Sequence, residues 1–228
     1  MDYQTATVVT VNPSPAARSA GVVMALASLL SVALMLHHPS VGSHSVSDVL
    51  GEIAEKSMTS RVVHGFLIAL VGALIHTFVE FSRRLDLHRA PVRAALIAYA
   101  IGSCAMIGAA LISGFLIPDL AAQFVHARPD DLGGVGPLLI LCGLGNRTLA
   151  NFAVIAMSVG ILLWSWATIR SNRDNAWIGA IGLVAGAAPA VALLLGLYRL
   201  DVVGMTSVVV CQTLWNLAVA SAMIRGKV

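Results

Sequence analysis

Three histidines crowd the segment Leu36-His37-His38-Pro39-Ser40-Val41-Gly42-Ser43-His44, just past the end of an apolar run, and a fourth, His64, opens the next such run. Neutral imidazole is a strong ligand for Zn, Cu and Fe, so two to four rings with one carboxylate would suit such an ion. Ligation requires the rings to be deprotonated. His37 and His38 end one helix and His64 begins the next, so an antiparallel hairpin brings them to one depth. Consecutive helical positions differ by about 100°, so only one of the doublet can point inward. Asp119, Gln123 and His126 are spaced i, i+4, i+7 and share a face if the third helix continues or restarts after Pro118. The expected metal set is therefore His37 or His38 with His64, His126 and Asp119. The spacing from His38 to His44 is not one of the tight ligand pairs. The competing reading is a row of interfacial histidines, with the doublet bonded to the last carbonyls of its own helix.

The elements that must position these residues follow from composition. Charged residues make up 11% of the chain and hydrophobic ones 58%, with a mean hydropathy of +0.87. That is an integral membrane protein. A span needs about 20 mostly apolar residues to cross a core of about 30 Å. Six stretches meet this or come close: 19–36, 62–81, 94–117, 149–169, 177–198 and 202–224. The first is expected to be a retained helix rather than a signal peptide. The predicted fold class is an all-α, polytopic bundle of six transmembrane helices. Residues 1–17 are expected to be a flexible cytoplasmic tail and residues 18–228 a single transmembrane domain.

Cationic residues near helix ends are held on the cytoplasmic side. With both termini there, nine of the 14 Lys and Arg fall inside and five, Lys56, Arg61, Arg128, Arg147 and Arg199, outside. The net charge of +3 then reflects membrane topology and not nucleic-acid binding. His37, His38, His44, His64 and His126 land on the outer side, and spans four to six hold no histidine. The expected location is a bacterial inner (plasma) membrane.

Three further segments bear on the site. Residues 132–145 are apolar but interrupted by Gly and Pro137, which fits a re-entrant or interfacial piece, or an extension of the fourth helix. Ser45 and Asp48 form a capping box, and Val46, Val49, Leu50 and Ile53 fall on one face, predicting a short amphipathic helix on the outer bilayer surface. Its carboxylates, Asp48, Glu52 and Glu55, could reach the histidines or simply face water. Small residues recur every fourth position at Ala94, Ala98 and Gly102, at Ala105, Ala109 and Ser113, and at Gly182, Gly186 and Ala190, marking grooves for close helix packing. Pro189 predicts a kink in the fifth span. Cys104, Cys142 and Cys211 read as buried free thiols.

Polar groups inside spans are costly and carry a functional expectation. His76 and Glu80 share a face of the second span, where pairing of Glu80 with Arg83 or Arg84 is the alternative. His64 and His76 are turned about 120° apart around that helix and cannot serve one site. Arg147 and Asn151 near the start of the fourth span, with Gln212 and Asn216 on one face of the sixth, either bridge helices or line a polar cavity. Haem held between facing axial imidazoles is disfavoured, because the last three spans offer no partner. Phosphate-loop, nucleophile-elbow and zincin motifs do not occur in the chain. Two functions remain. One is a membrane metalloprotein that binds Zn, Cu or Fe, acting as an enzyme on a lipid-soluble substrate. The other is a small transporter of a metal ion, or one linked to protons, or a non-catalytic subunit of a homo-oligomer or larger membrane complex.

Overall fold

In a computed structural model the described residues are 15–39, 42, 45–171, 175–197 and 199–227. Every regular element among them is helical, as expected where no water is present to satisfy free backbone groups. Six helices are long and apolar enough to cross a membrane. The chain runs through α1 (Pro15–Leu36), α2 (Val46–Glu55), α3 (Ser57–Arg84) and α4 (Ala90–Leu111). A π-helical segment, Ile112–Leu116, joins α4 to α5 (Ile117–Phe124), and a 3-10 turn, Pro129–Gly134, leads into α6 (Val135–Ser171). The last two helices are α7 (Ala176–Leu194) and α8 (Val202–Ile224). The first is described from Pro15, and a proline is accommodated in a first helical turn because its missing N–H costs nothing there.

The spans close into a ring. Neighbours pack in the order α1, α3, α4, α6, α7, α8 and back to α1. Glycine permits the close approaches: a Cβ on Gly102 would lie 2.9 Å from the Ala153 carbonyl oxygen, and one on Gly160 would lie 2.9 Å from that of Ala95. The face of α4 that meets α6 thus includes Ala95, Tyr99 and Gly102, whereas Ala94 of the expected groove is exposed. Cys104 is also exposed and Cys142 and Cys211 are half-buried, so the thiols are less enclosed than their apolar context predicts. All three are free.

At the end of the ring where α1 starts and α8 finishes, the interior is filled by aromatic rings. Phe78, Trp164 and Trp215 are fully buried and nearly parallel, with centroids 4.6 Å (Phe78–Trp164) and 5.6 Å (Phe78–Trp215) apart. Trp164 donates its indole N–H to Ser82 Oγ at 2.9 Å. Towards the histidine end the ring holds a cavity instead.

Two helices project past that end. α4, the π segment and α5 run on as one 35-residue helix, and the fourth span extends over 40 residues from Leu132 to Ser171. At 1.5 Å per residue these are about 50–60 Å long, well beyond a hydrocarbon core of about 30 Å. Residues 132–145 thus extend the fourth helix, the second of the two arrangements expected for them. The amphipathic α2 forms as predicted, with Ser45 Oγ accepting from the Asp48 N–H at 3.2 Å. Its apolar face does not stand free against lipid. Leu50 is buried with Ala121 and Val135, flanked by Ile53, Phe124 and Leu132, so α2 leans on the projecting hairpin.

Candidate functional site

His38 and His64 meet at the histidine end of the cavity, with Nε2 atoms 3.1 Å apart and ring planes at 74°. Each arrives there for a local reason. Pro39 stops α1, and the His38 N–H reaches back to the Met35 carbonyl, leaving the ring swung inward past the helix end. His64 sits two turns into α3 and is buried against the π segment of the third span. A Cβ on Gly114 would overlap Cβ and Cγ of His64, so this contact exists only because position 114 has no side chain. The π segment is itself explicable: Pro118 has no N–H to offer the Gly114 carbonyl, and the helix absorbs one extra residue just before it.

The hydrogen-bond partners assign the tautomers. His38 Nδ1 is 2.9 Å from the Pro39 carbonyl oxygen and His64 Nδ1 is 2.8 Å from that of Ser60. A carbonyl only accepts, so both Nδ1 atoms carry the proton. In neutral rings both Nε2 atoms are then bare, and two lone pairs face each other at 3.1 Å. Ser113 Oγ lies 3.0 Å from His64 Nε2 and 3.0 Å from the Ala109 carbonyl oxygen, but its one hydrogen can satisfy only one of them. A positive centre between the imidazoles, a proton or a metal ion, removes the repulsion. Two nitrogens bound at about 2.0 Å to one tetrahedral ion are about 3.3 Å apart, so the pair has the separation of two ligands of such an ion. Burial holds His38 below the ordinary imidazole value, against the opposing pull of its bond to Pro39. It is therefore neutral, and able to ligate, at neutral pH.

The rest of the expected metal set lies elsewhere. His37 is exposed and donates its Nδ1–H to the Ala33 carbonyl at 2.8 Å, bonding a last-turn carbonyl of its own helix. Because α4 and α5 form one continuous helix, His126 is carried about 20 Å along the axis beyond Ser113 and is exposed. Asp119 pairs with Arg61 across the start of α3. Both groups of that pair are substantially exposed, so solvent screens it. Asp119→Ala is expected to change unfolding free energy by no more than about 1 kcal/mol, measured in bicelles, and to leave metal content unchanged. Among the described residues no three His, Cys, Asp or Glu side chains gather as a metal group, so the pair would contribute two ligands. His44 lies outside the described residues. Of the carboxylates of α2, Asp48 accepts from Ser45, Glu52 pairs with Lys56 and accepts from the Gly42 N–H, and Glu55 is exposed.

The other intramembrane candidates divide. His76 is exposed on α3, facing away from the bundle, while Glu80 lies 3.4 Å from Arg84 and 3.8 Å from Arg83, as its alternative reading required. Arg147 is exposed on α6, and Asn151 is half-buried outside the cavity lining with its Oδ1 unbonded. Gln212 and Asn216 line the cavity. This chamber has a volume of about 290 Å³, near the low end for small-molecule sites. It runs from His64 to Leu74 along α3, about 15 Å, and its walls are mostly apolar.

Sequence reasoning missed Ser60, Ser113 and Gly114. Ser60 Oγ reaches the Ser113 carbonyl at 3.4 Å, tying α3 to the π segment. Ser113 read as one step of a small-residue groove, and the available signal was Ser-Gly placed four residues before a proline in an apolar helix. No protein-family profile matches the chain, and no curated protein or solved structure matches it either.

Proposed function

We propose that this integral membrane protein binds one transition metal ion, Zn, Cu or Fe, between His38 and His64, and that the metal acts on a lipid-soluble molecule held in the cavity below. The observation that carries the reading is the pair of bare Nε2 atoms at 3.1 Å, each fixed by a carbonyl bond from the opposite ring nitrogen. Such Nδ1–H bonds are the usual means of orienting a metal-bound histidine. Two protein ligands leave positions open for water and substrate, as a catalytic site requires. In this reading both termini are cytoplasmic and the histidine end faces outward from a bacterial plasma membrane, an orientation supported by the excess of Lys and Arg on the side of the termini.

The test is metal analysis of full-length protein purified anaerobically without chelators. About one metal ion per chain is expected for the wild type, falling at least tenfold in His38→Ala and His64→Ala but not in His37→Ala or His126→Ala. Wild-type protein without stoichiometric metal would remove the reading. A second reading, a metal transporter, is favoured by the continuation of the chamber about 15 Å inward from the pair. Proteoliposomes that accumulate the bound metal would establish it, and metal retention without uptake would leave the enzyme.

A further inference from the structure

The chamber changes character from one end to the other. At the histidine end its polar lining includes His38, Ser113 and Asn146, which are half-buried, and Asp201, which is exposed. Further in, Ser28, Tyr99, Gln212, Thr213 and Asn216 are all less than a tenth exposed. Part of that inner polarity is used between helices: Asn216 donates its Nδ2–H to Ser28 Oγ at 3.0 Å, and Thr213 donates to the Ser28 carbonyl at 3.4 Å, stitching α8 to α1. Gln212 Nε2 and Asn216 Oδ1 are sealed off from the chamber. What faces the interior is mainly the apolar surface of Leu67, Val71, Ile107, Val154 and their neighbours. The shaft ends at Leu74, Tyr99 and Met157, all buried, because Phe78, Trp164 and Trp215 fill the ring beyond them.

We infer that the chamber takes the single unbranched alkyl chain of an amphiphile, about twelve carbons long, with its tail against Leu74, Tyr99 and Met157 and its polar head at the histidine pair. Two independent measures give that length. From the level of His64 to that of Leu74 is about 15 Å, and an extended chain with C–C bonds of about 1.5 Å advances about 1.25 Å per carbon, so about twelve carbons reach the floor. By volume, an apolar cavity of about 150 Å³ holds the six carbons of benzene, so about 290 Å³ holds about twelve. Carbons counted by length equal carbons counted by volume, which means that they lie in single file. A two-chain lipid needs about twice the volume for the same length. The polarity of the lining fixes the direction. A head at the floor would leave water for a region whose polar groups are sealed or already bonded, whereas a head at the mouth meets Asn146, Asp201 and solvent. This makes the substrate of the proposed function a single-chain amphiphile that reacts at its polar end; it rests on that reading for the reaction, though not for the binding itself.

The experiment places the full chain, as purified, in lipid nanodiscs with a dodecanoic N-methylamide that carries a photoreactive diazirine at its last carbon. Labelling is expected on Leu74, Tyr99 or Met157, and moving the diazirine beside the amide is expected to shift it to the histidine end. Unlabelled N-methylamides of octanoic, dodecanoic and hexadecanoic acid then compete at equal membrane mole fraction. The dodecanoic amide is expected to compete about fivefold better than either of the others, since the shorter chain leaves the floor empty and the longer one pushes its head out of the mouth. Equal competition by the three, labelling confined to lipid-facing residues, or labelling of the floor by the head-end diazirine overturns the inference. Leu74→Ala deepens the floor and is expected to move the optimum up by about two carbons. An optimum that stays in place in the folded variant also overturns it, and if the variant does not fold, the wild-type series and label positions decide. The two proposals fail separately, because metal content is read on the same preparation without amphiphile. A metal-free preparation that keeps the chain-length optimum removes the metal reading alone, and a metal-loaded one without the optimum removes this inference alone.

Discussion

Gly114→Ala is expected to lower metal content at least tenfold, as His64→Ala does, although it removes no ligand. The added methyl would overlap Cβ and Cγ of His64. Neither side of the contact can give way easily, since the ring is held by the Ser60 carbonyl and Ser113, and the π segment is held by the α3–α4 packing and by Ser60. Overpacking of this kind costs about 1–3 kcal/mol, and relief requires the imidazole to leave its position opposite His38. Gly72→Ala on the same helix as His64 is the control, because its Cβ would meet nothing within 4 Å. The measurement is metal per chain beside unfolding free energy for both variants. Metal content at the wild-type level in folded Gly114→Ala protein would mean that the His64 position is not what the site requires. Loss of metal from Gly72→Ala would point to a general packing fault instead.

The parts of the fold that depend on hydropathy were legible in the sequence. Uncharged runs of about 20 residues located all six spans, and the hairpin argument brought the His37-His38 doublet to the depth of His64. Which ring points inward was not legible, since it depends on where the chain turns after Leu36, and Pro39 decided it for His38. The largest departure came from Pro118. The sequence leaves the third helix open to continue or to restart after Pro118, and only a restart that turns back brings Asp119 and His126 over the histidines. Here the missing N–H is absorbed by a π segment, the helix continues to Phe124, and both residues are carried away from the site. That same segment supplies Ser113 and Gly114, so the residues the sequence undervalued and the residues it misplaced have one cause. Gln212 and Asn216 were visible as an amide face on α8. Periodicity cannot say whether such a face meets another helix or a void, because that is set by what the opposite wall lacks.

Phe78→Ala is expected to lower the unfolding free energy by about 3–5 kcal/mol, the range for deleting a fully enclosed aromatic side chain. Between helices in lipid, hydrocarbon burial adds little drive to associate, and shape-matched contact does most of the holding. A ring of six helices has an interior wider than a helix pair can fill, and here the filler is Phe78 stacked on Trp164 and Trp215, with Tyr99 4.5 Å from Phe78 by ring centroid. Removing Phe78 takes away the ring that touches all three. Phe78→Leu keeps most of the volume but not the stacking and is expected to cost about 1–2 kcal/mol. Reversible unfolding in bicelles with a denaturing detergent would measure both. The metal should stay in place in either folded variant, because Phe78 is about 21 Å along α3 from His64. A Phe78→Ala variant within 1 kcal/mol of wild type would mean that the aromatic plug does not hold the ring closed. The chamber would then owe its shape to the α1–α8 bonds of Ser28, Thr213 and Asn216, and those bonds would become the place to cut.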